Sequence, residues 1–145
     1  MSKIILITGA SAGFGKATAE KFAAGGWNLI LTARRKEQLD AVAADIEKKY
    51  GVKTLNLVFD IQDKKAVFEH LGNLPKEWQA INILLNNAGL ALGRDPFDEA
   101  NLEDWETMID TNVKGLLYAS KAVLPHIIAQ KGHIINIGYR RKRSV

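Results

Sequence analysis

The sequence predicts an α/β fold: one three-layer domain in which a doubly wound parallel sheet lies between two layers of helices. Short apolar segments alternate with longer segments of helical periodicity, the pattern that predicts parallel strands joined by crossover helices. A glycine-rich turn joins the first apolar segment to the first helical one. The 145 residues, 47% hydrophobic and 25% charged, suffice for one globular domain and are too few for two. Right-handed crossovers then favour strand order 3-2-1-4-5.

Five apolar segments are predicted to be strands. The first is an apolar run, as expected of a strand that helices cover on both faces. The others are similarly short, and glycines or helical segments separate them. In chain order the predicted strands are Lys3–Thr8, Asn28–Ala33, Thr54–Phe59, Asn82–Leu85 and His133–Ile137.

Four segments are predicted to be helices. The first is rich in Ala, Lys and Glu, and a glycine pair closes it; the second has a clear apolar side and ends at a glycine. The predicted helices are Gly13–Ala24, Lys36–Tyr50, Asp63–Leu71 and one long helix from Leu102 to about Ala129. The apolar positions that support the second and the long helix are Leu39, Val42, Ala43 and Ile46, and Trp105, Ile109, Leu116, Val123 and Ile127.

Composition and charge exclude several classes of function. No apolar run reaches the roughly 18 residues that span a bilayer, and the first ten residues resemble a strand more than a signal peptide, which predicts a cytoplasmic protein without a membrane partner. The absence of cysteine removes disulfides, thiolate catalysis and cysteine zinc sites. The three histidines are isolated from other ligands, so no metal site is predicted. No nucleophile elbow of a serine hydrolase occurs.

The net charge of +4 arises at the end of the chain. Four of the 20 basic residues lie in the last six positions, which leaves 16 basic residues against 16 acidic ones. The body of the domain therefore offers no basic surface, and no specific nucleic-acid partner is predicted. Weak, salt-sensitive attraction of the tail to nucleic acid or another anionic surface is an alternative.

The turn after the first strand has the residue types of a phosphate-binding loop. Its sequence from Gly9 to Gly15 has the spacing G-x-x-x-G-x-G, different from the G-x-G-x-x-G dinucleotide fingerprint but built on the same physics. Glycines permit a tight turn and a close approach of the backbone to a pyrophosphate, whose charge meets the positive end of the next helix. Ser11 adds a hydroxyl donor. This pattern predicts a Rossmann-type nucleotide site; glycines that only form a turn are the alternative.

The end of the second strand indicates which nucleotide would bind. An acidic residue commonly stands there when the ligand is NAD, because it accepts from the ribose 2′-hydroxyl. This sequence has Arg34 and Arg35 instead, and two guanidiniums suit a 2′-phosphate. The pair predicts NADP as the cofactor, although two arginines on an exposed loop would also be unremarkable.

Four motifs in this order resemble the short-chain dehydrogenase/reductase family. They are Thr8-Gly9-x-x-x-Gly13-x-Gly15, Asp60 after the third strand, Asn86-Asn87-Ala88-Gly89 after the fourth, and Asn112 in the long helix. Residues 86–93 and 103–112 resemble the bacterial NADP-dependent 3-hydroxy acid dehydrogenases, which oxidise serine, allo-threonine and related acids. The resemblance covers residues 3 to 138.

The resemblance implies a role for each matching residue. Gly9, Ala10, Ser11, Ala12, Gly13, Phe14 and Gly15 would hold the pyrophosphate and the adenosine ribose, and Arg34 with Arg35 the 2′-phosphate. Asp60 and Ile61 would contact the adenine, and Asn87, Ala88 and Gly89 would lie along the nicotinamide half. Asn112 would be catalytic and hold a water of the proton relay. The alternatives are a loop or helix cap for Asp60 and a plain turn residue for Asn87.

The family's other catalytic residues do not appear. A Ser is expected near the end of the fifth strand, where Tyr139 follows Gly138, and no Tyr-x-x-x-Lys pair occurs. Tyr118 and Lys121 are one residue too close, and Tyr139 with Arg143 lacks the lysine. We therefore expect a family member truncated before these residues, its sheet incomplete at the C-terminal edge. Residues 139–145 are expected to be a basic tail, either disordered or the product of a frameshift.

Two functions follow as predictions. The first is NADP-dependent hydride transfer to or from a small 3-hydroxy acid such as serine, or another alcohol or carbonyl, with cofactor binding retained and little or no turnover. The second is a non-catalytic NADP(H)-binding module. The family is homo-oligomeric, and an apolar strand at the edge of the sheet would also favour self-association of this chain.

Overall fold

The computed structural model describes residues 2–90, 92 and 96–138, which form a five-stranded parallel sheet. The strands are β1 Ile4–Thr8, β2 Asn28–Ala33, β3 Thr54–Val58, β4 Ile81–Asn86 and β5 His133–Asn136. Their order is β3-β2-β1-β4-β5, and every neighbouring pair is parallel. The predicted fold class and strand order are confirmed. The predicted tail, residues 139–145, lies outside the described residues.

Two layers of helices cover the sheet. The helices are α1 Gly13–Ala24, α2 Lys36–Tyr50, α3 Lys64–Leu71, α4 Leu102–Ile109 and α5 Leu116–Ala129, and a short 3-10 turn spans Lys76–Trp78. One apolar cluster lies between the sheet and the α1–α2 layer, and a second between the sheet and the α3–α5 layer. Within the described part of the chain, no helix is long and apolar enough to cross a membrane.

The helix boundaries follow local chemistry. Gly51 ends α2 with the left-handed φ of +67° that a residue without Cβ adopts at low cost. Asp63, predicted inside the third helix, is its N-cap, because its carboxylate accepts a 3.1 Å hydrogen bond from the backbone N–H of Ala66. The four apolar positions predicted for the second helix are the buried residues of α2.

The prediction of one continuous long helix was wrong in its middle. Residues Asp110–Gly115 form a π-helix between α4 and α5. A π-helical turn accommodates an extra residue and so changes the direction of the side chains that follow it. Ile109, placed by the helical spacing on the apolar face, is 50% exposed, whereas Val123 is fully buried. The apolar periodicity of this segment could not reveal the break, because both halves keep a helical repeat.

The last strand lies at one edge of the sheet. β5 pairs with β4, and the described residues place no strand on its other side. Its isoleucines are accordingly exposed, Ile134 by 38% and Ile135 by 41%. The apolar edge expected from the sequence is therefore present, and such an edge offers unpaired backbone groups to any strand that can pair with it.

Candidate functional site

The carboxyl ends of β1, β2 and β4 open into a cleft of about 1180 Å³. Parallel strands end at the same edge of the sheet, so residues distant in sequence meet there. Thirteen of the fifteen residues predicted for the site line this cleft. They are Gly9, Ser11, Ala12, Gly13, Phe14, Arg34, Arg35, Asp60, Ile61, Asn87, Ala88, Gly89 and Asn112.

Ala10 and Gly15, the other two predicted residues, lie beneath the loop. Ala10 is fully buried, and its backbone N–H donates to the carbonyl of Thr32 at 2.9 Å, which ties the loop to β2. A Cβ on Gly15 would overlap the carbonyl oxygen of Gly9 and lie 2.6 Å from Nδ2 of Asn87. Both residues shape the loop from below and do not face the cleft.

The glycine loop brings the start of α1 to the floor of the cleft. Gly9 has a φ of +66°, and a Cβ there would lie 2.9 Å from Cα of Ala88, so the backbones of two turns touch at this point. The N-cap of α1 is Ala12, whose side chain cannot accept from the first N–H groups of the helix. These donors and the positive end of the helix dipole are therefore free for an anion. Phe14 stands at the rim, 78% exposed.

Thr8 and Asn87 fasten the glycine loop to the turn after β4. The Thr8 hydroxyl accepts from the backbone N–H of Asn87 at 3.1 Å and of Ala88 at 3.0 Å. In return, Nδ2 of Asn87 donates to the carbonyls of Thr8 at 3.1 Å and Gly9 at 3.0 Å. Four hydrogen bonds thus join residues about 80 positions apart, and Asn87 links the ends of the neighbouring strands β1 and β4.

Replacing Thr8 with valine is expected to loosen this junction. Valine has nearly the same shape but leaves two backbone N–H groups without an acceptor at a position that is 1% exposed. We expect the free energy of unfolding to fall by about 2–4 kcal/mol, measured by urea denaturation. Thr32→Val is the matched control, because Thr32 is buried opposite Thr8 in the sheet and makes none of these bonds. Equal losses in the two variants would contradict the proposed anchoring role of Thr8.

The two arginines follow directly after β2 and line the same cleft. Arg34 and Arg35 are exposed, and neither forms an ion pair within the described residues. Arg35 is also the N-cap of α2. Both arginines line the cleft that the glycine loop opens into.

The next cation along the chain is held away from this site. Nζ of Lys36 pairs with Asp40 at 2.6 Å, and Asp40 also accepts from Nδ2 of Asn56 at 3.1 Å. The hydrogen bond to Asp40 raises the pKa of Lys36, and the bonds from Lys36 and Asn56 lower the pKa of Asp40. Lys36 thus remains a charged partner of Asp40 and does not line the cleft.

Asp60 and Ile61 form the far wall of the cleft. Oδ1 of Asp60 accepts from the backbone N–H of Gln62 at 2.9 Å, which is the loop cap given above as an alternative role for this residue. Asp60 also lines the cleft. Ile61 is positioned by the π-helix, since a Cβ on Gly115 would lie 2.9 Å from its side chain. The π-helix and the loop after β3 therefore pack as one unit.

Asn112 uses its side chain to hold the turn after β4. Its Oδ1 accepts from the backbone N–H of Leu90 at 2.9 Å, and its Nδ2 donates to the carbonyl of Leu90 at 2.8 Å. The carboxamide therefore binds both backbone polar groups of Leu90, as a residue of a neighbouring strand would. The family resemblance implies a water-holding role for Asn112; in the structure its side chain holds the turn after β4 through Leu90.

A second polar cluster lies under the same edge of the sheet. Nδ2 of Asn86 donates to Oγ of Ser120 at 3.0 Å and to Oδ1 of Asn136 at 3.0 Å. Asn86 is 4% exposed, and these bonds join β4, β5 and α5. The cluster fixes where β5 ends relative to the cleft.

Sequence reasoning missed ten residues that line the cleft. Most are neighbours of predicted residues, and the order of the parallel strands could have indicated them. Gln38, Met108 and Thr111 line the cleft only because their helices orient them toward it. The ten are Thr32, Ala33, Gln38, Phe59, Gln62, Leu90, Met108, Thr111, Ile137 and Gly138.

Comparison with known proteins gives the same assignment. The family model described as short chain dehydrogenase matches residues 3–140. The chain belongs to the short-chain dehydrogenase family. The NADP-dependent 3-hydroxy acid dehydrogenase YdfG of Salmonella typhi is 47% identical over 136 residues, which are 93% of this chain and 53% of the relative. Sulfoacetaldehyde reductase 2 of Chromohalobacter salexigens is 46% identical over 140 residues, 95% of this chain and 55% of the relative.

A solved structure has the same fold as this chain. The closed form of serine dehydrogenase complexed with NADP⁺ superposes with a TM-score of 0.83 at 47% identity, covering 93% of this chain and 53% of that chain. The chain thus spans about half the length of the relatives it matches.

Proposed function

We propose that these residues form the NADP-binding half of a short-chain dehydrogenase that transfers hydride to or from the alcohol carbon of a small 3-hydroxy acid such as serine. The observation that carries the proposal is the meeting of the glycine loop with Arg34 and Arg35 in one cleft. The 47% identical relative is an NADP-dependent 3-hydroxy acid dehydrogenase, which supports NADP and the substrate class. Another small alcohol or carbonyl compound is the wider substrate class.

The residues of the cleft fit a dinucleotide. Gly9 lies so close to Ala88 that a Cβ on Gly9 would clash with it. Because that Cβ is absent, the wall of the cleft at the start of α1 is formed by backbone atoms, and a pyrophosphate would bind there. Arg34 and Arg35 supply charge for the 2′-phosphate. Asp60 and Ile61 would hold the adenine at the far wall, Asp60 accepting from its exocyclic amine.

The turn after β4 would hold the reactive end of the cofactor. Bound NADP supplies the hydride acceptor or donor, and the protein positions it and manages the proton. Asn87, Ala88 and Gly89 would lie along the nicotinamide half. Asn112 would keep that turn in place through Leu90, because its two hydrogen bonds leave the turn little freedom to move.

The sequence supplies one of the four catalytic positions that the family resemblance implies, Asn112. Tyr118 and Lys121 do not replace the missing pair, because Tyr118 packs against the α3–α5 core cluster and neither residue lines the cleft. We therefore propose cofactor binding with little or no turnover by these residues alone. The alternative function is a non-catalytic NADP(H)-binding module.

Fluorescence titration of the purified chain with NADPH and NADH tests the proposal. We expect NADPH to bind at least about tenfold more tightly, because only its 2′-phosphate can engage the two arginines. Equal affinities would contradict NADP as the cofactor. An assay with NADP⁺ and serine or 3-hydroxybutyrate separates the two functions: measurable turnover excludes the non-catalytic module, and binding without turnover contradicts activity of these residues by themselves.

A further inference from the structure

The first turn of α2 presents three polar side chains in different surroundings. Lys36 is tied to Asp40, on the side of α2 that faces Asn56 of β3. Glu37 is exposed and does not line the cleft. Gln38 alone among the three lines the cleft, together with Arg34 and Arg35.

Few charged side chains therefore contribute to the charge of the cleft near Arg34, Arg35 and Gln38. Arg34 and Arg35 bring two positive charges, and the described residues offer them no carboxylate partner. The tether to Asp40 keeps the charge of Lys36 outside the cleft. Gln38 lies one helical turn beyond Arg34 and Arg35 and contributes a neutral carboxamide. An amide N–H can donate to a phosphate oxygen without adding charge.

We infer that Gln38 adds to the preference of this site for a 2′-phosphorylated nucleotide, its amide donating to the 2′-phosphate beside Arg34 and Arg35. The inference rests on the proposed function, since it assigns a further residue to the same nucleotide site. It follows that the charge of the side chain at position 38 shifts the discrimination between 2′-phosphorylated and plain adenosine ligands that the two arginines provide. A residue that touched only the adenine ring would affect both ligands equally.

The experiment uses two small probes that contain only the adenosine half of the cofactor. Adenosine 2′,5′-bisphosphate and AMP are titrated into the full chain by isothermal titration calorimetry, and the ratio of their dissociation constants is measured. Gln38→Glu should weaken the bisphosphate about tenfold, because a carboxylate replaces a donor next to a phosphate, and Gln38→Lys should strengthen it by about three- to tenfold. AMP binding should change less than about twofold in both variants.

Glu37→Gln and Lys36→Gln are the matched controls, because they change charge on the same helical turn outside the cleft. Both should leave the ratio within about twofold of the unmodified chain. Equal changes for the bisphosphate and AMP, or control variants that shift the ratio as much as Gln38→Glu, overturn the inference.

The same titrations separate this inference from the proposed function. If the unmodified chain binds both probes equally, NADP specificity fails and the role of Gln38 fails with it. If the unmodified chain prefers the bisphosphate and neither variant of Gln38 changes that preference, only the role of Gln38 is overturned.

Discussion

Replacing Arg34 and Arg35 together with alanine is expected to lower NADPH affinity by about 100-fold and to leave NADH affinity nearly unchanged. Each guanidinium can form charge-assisted hydrogen bonds to phosphate oxygens. A net contribution of about 1.4 kcal/mol per arginine at this exposed position is a factor of about ten each. The arginines are exposed and form no ion pair within the described residues, so their removal breaks no structural contact that would also weaken NADH. Parallel fluorescence titrations of the double variant measure both affinities.

The control for this double variant removes two charges elsewhere on the same helix. Lys48→Ala with Lys49→Ala changes the net charge equally at the opposite end of α2, outside the cleft. We expect it to lower NADPH affinity by less than about twofold at physiological salt, since screening suppresses distant charges. A double arginine variant that retained its preference for NADPH would refute the assignment of the 2′-phosphate site.

Gly15→Ala is expected to abolish measurable NADPH binding and to lower the free energy of unfolding by about 1–3 kcal/mol. The new Cβ would overlap the carbonyl oxygen of Gly9 and lie 2.6 Å from Nδ2 of Asn87. Neither atom can yield cheaply, because one belongs to the loop backbone and the other is fixed by two hydrogen bonds. The glycine loop must therefore move away from the turn after β4, which separates the two walls of the proposed pyrophosphate site.

Gly26→Ala is the matched control for Gly15→Ala. Gly26 has a φ of +84° and no atom within 4 Å of an added Cβ, and it lies outside the cleft. Alanine there is expected to cost about 1 kcal/mol of stability through backbone strain and to leave NADPH binding intact. Thermal unfolding and NADPH titration of both variants distinguish the effects. Normal binding by the Gly15 variant would show that the close approach is not needed.

The strands and the position of the glycine loop could be predicted because they depend on local sequence. The apolar run that became β1 is fully covered, and Gly51 ends α2 where the pattern placed the helix end. Predicted boundaries moved by a residue or two where a cap decided them, as at Asp63. Parallel strand order then brought Arg34 and Arg35 to the cleft, because crossover chirality constrains which strands are neighbours.

The sequence by itself determined the layered α/β fold, the glycine loop and the position of the two arginines after β2. These features can be recognised from hydrophobic periodicity and residue type within short segments of the chain. Only the tertiary structure decided the π-helix at Asp110–Gly115, the pairing of Asn112 with Leu90, and which residue of the first turn of α2 faces the cleft. These features depend on contacts between segments far apart in the chain. The backbone groups of Leu90, for example, find their partner on Asn112 only once the two segments have packed.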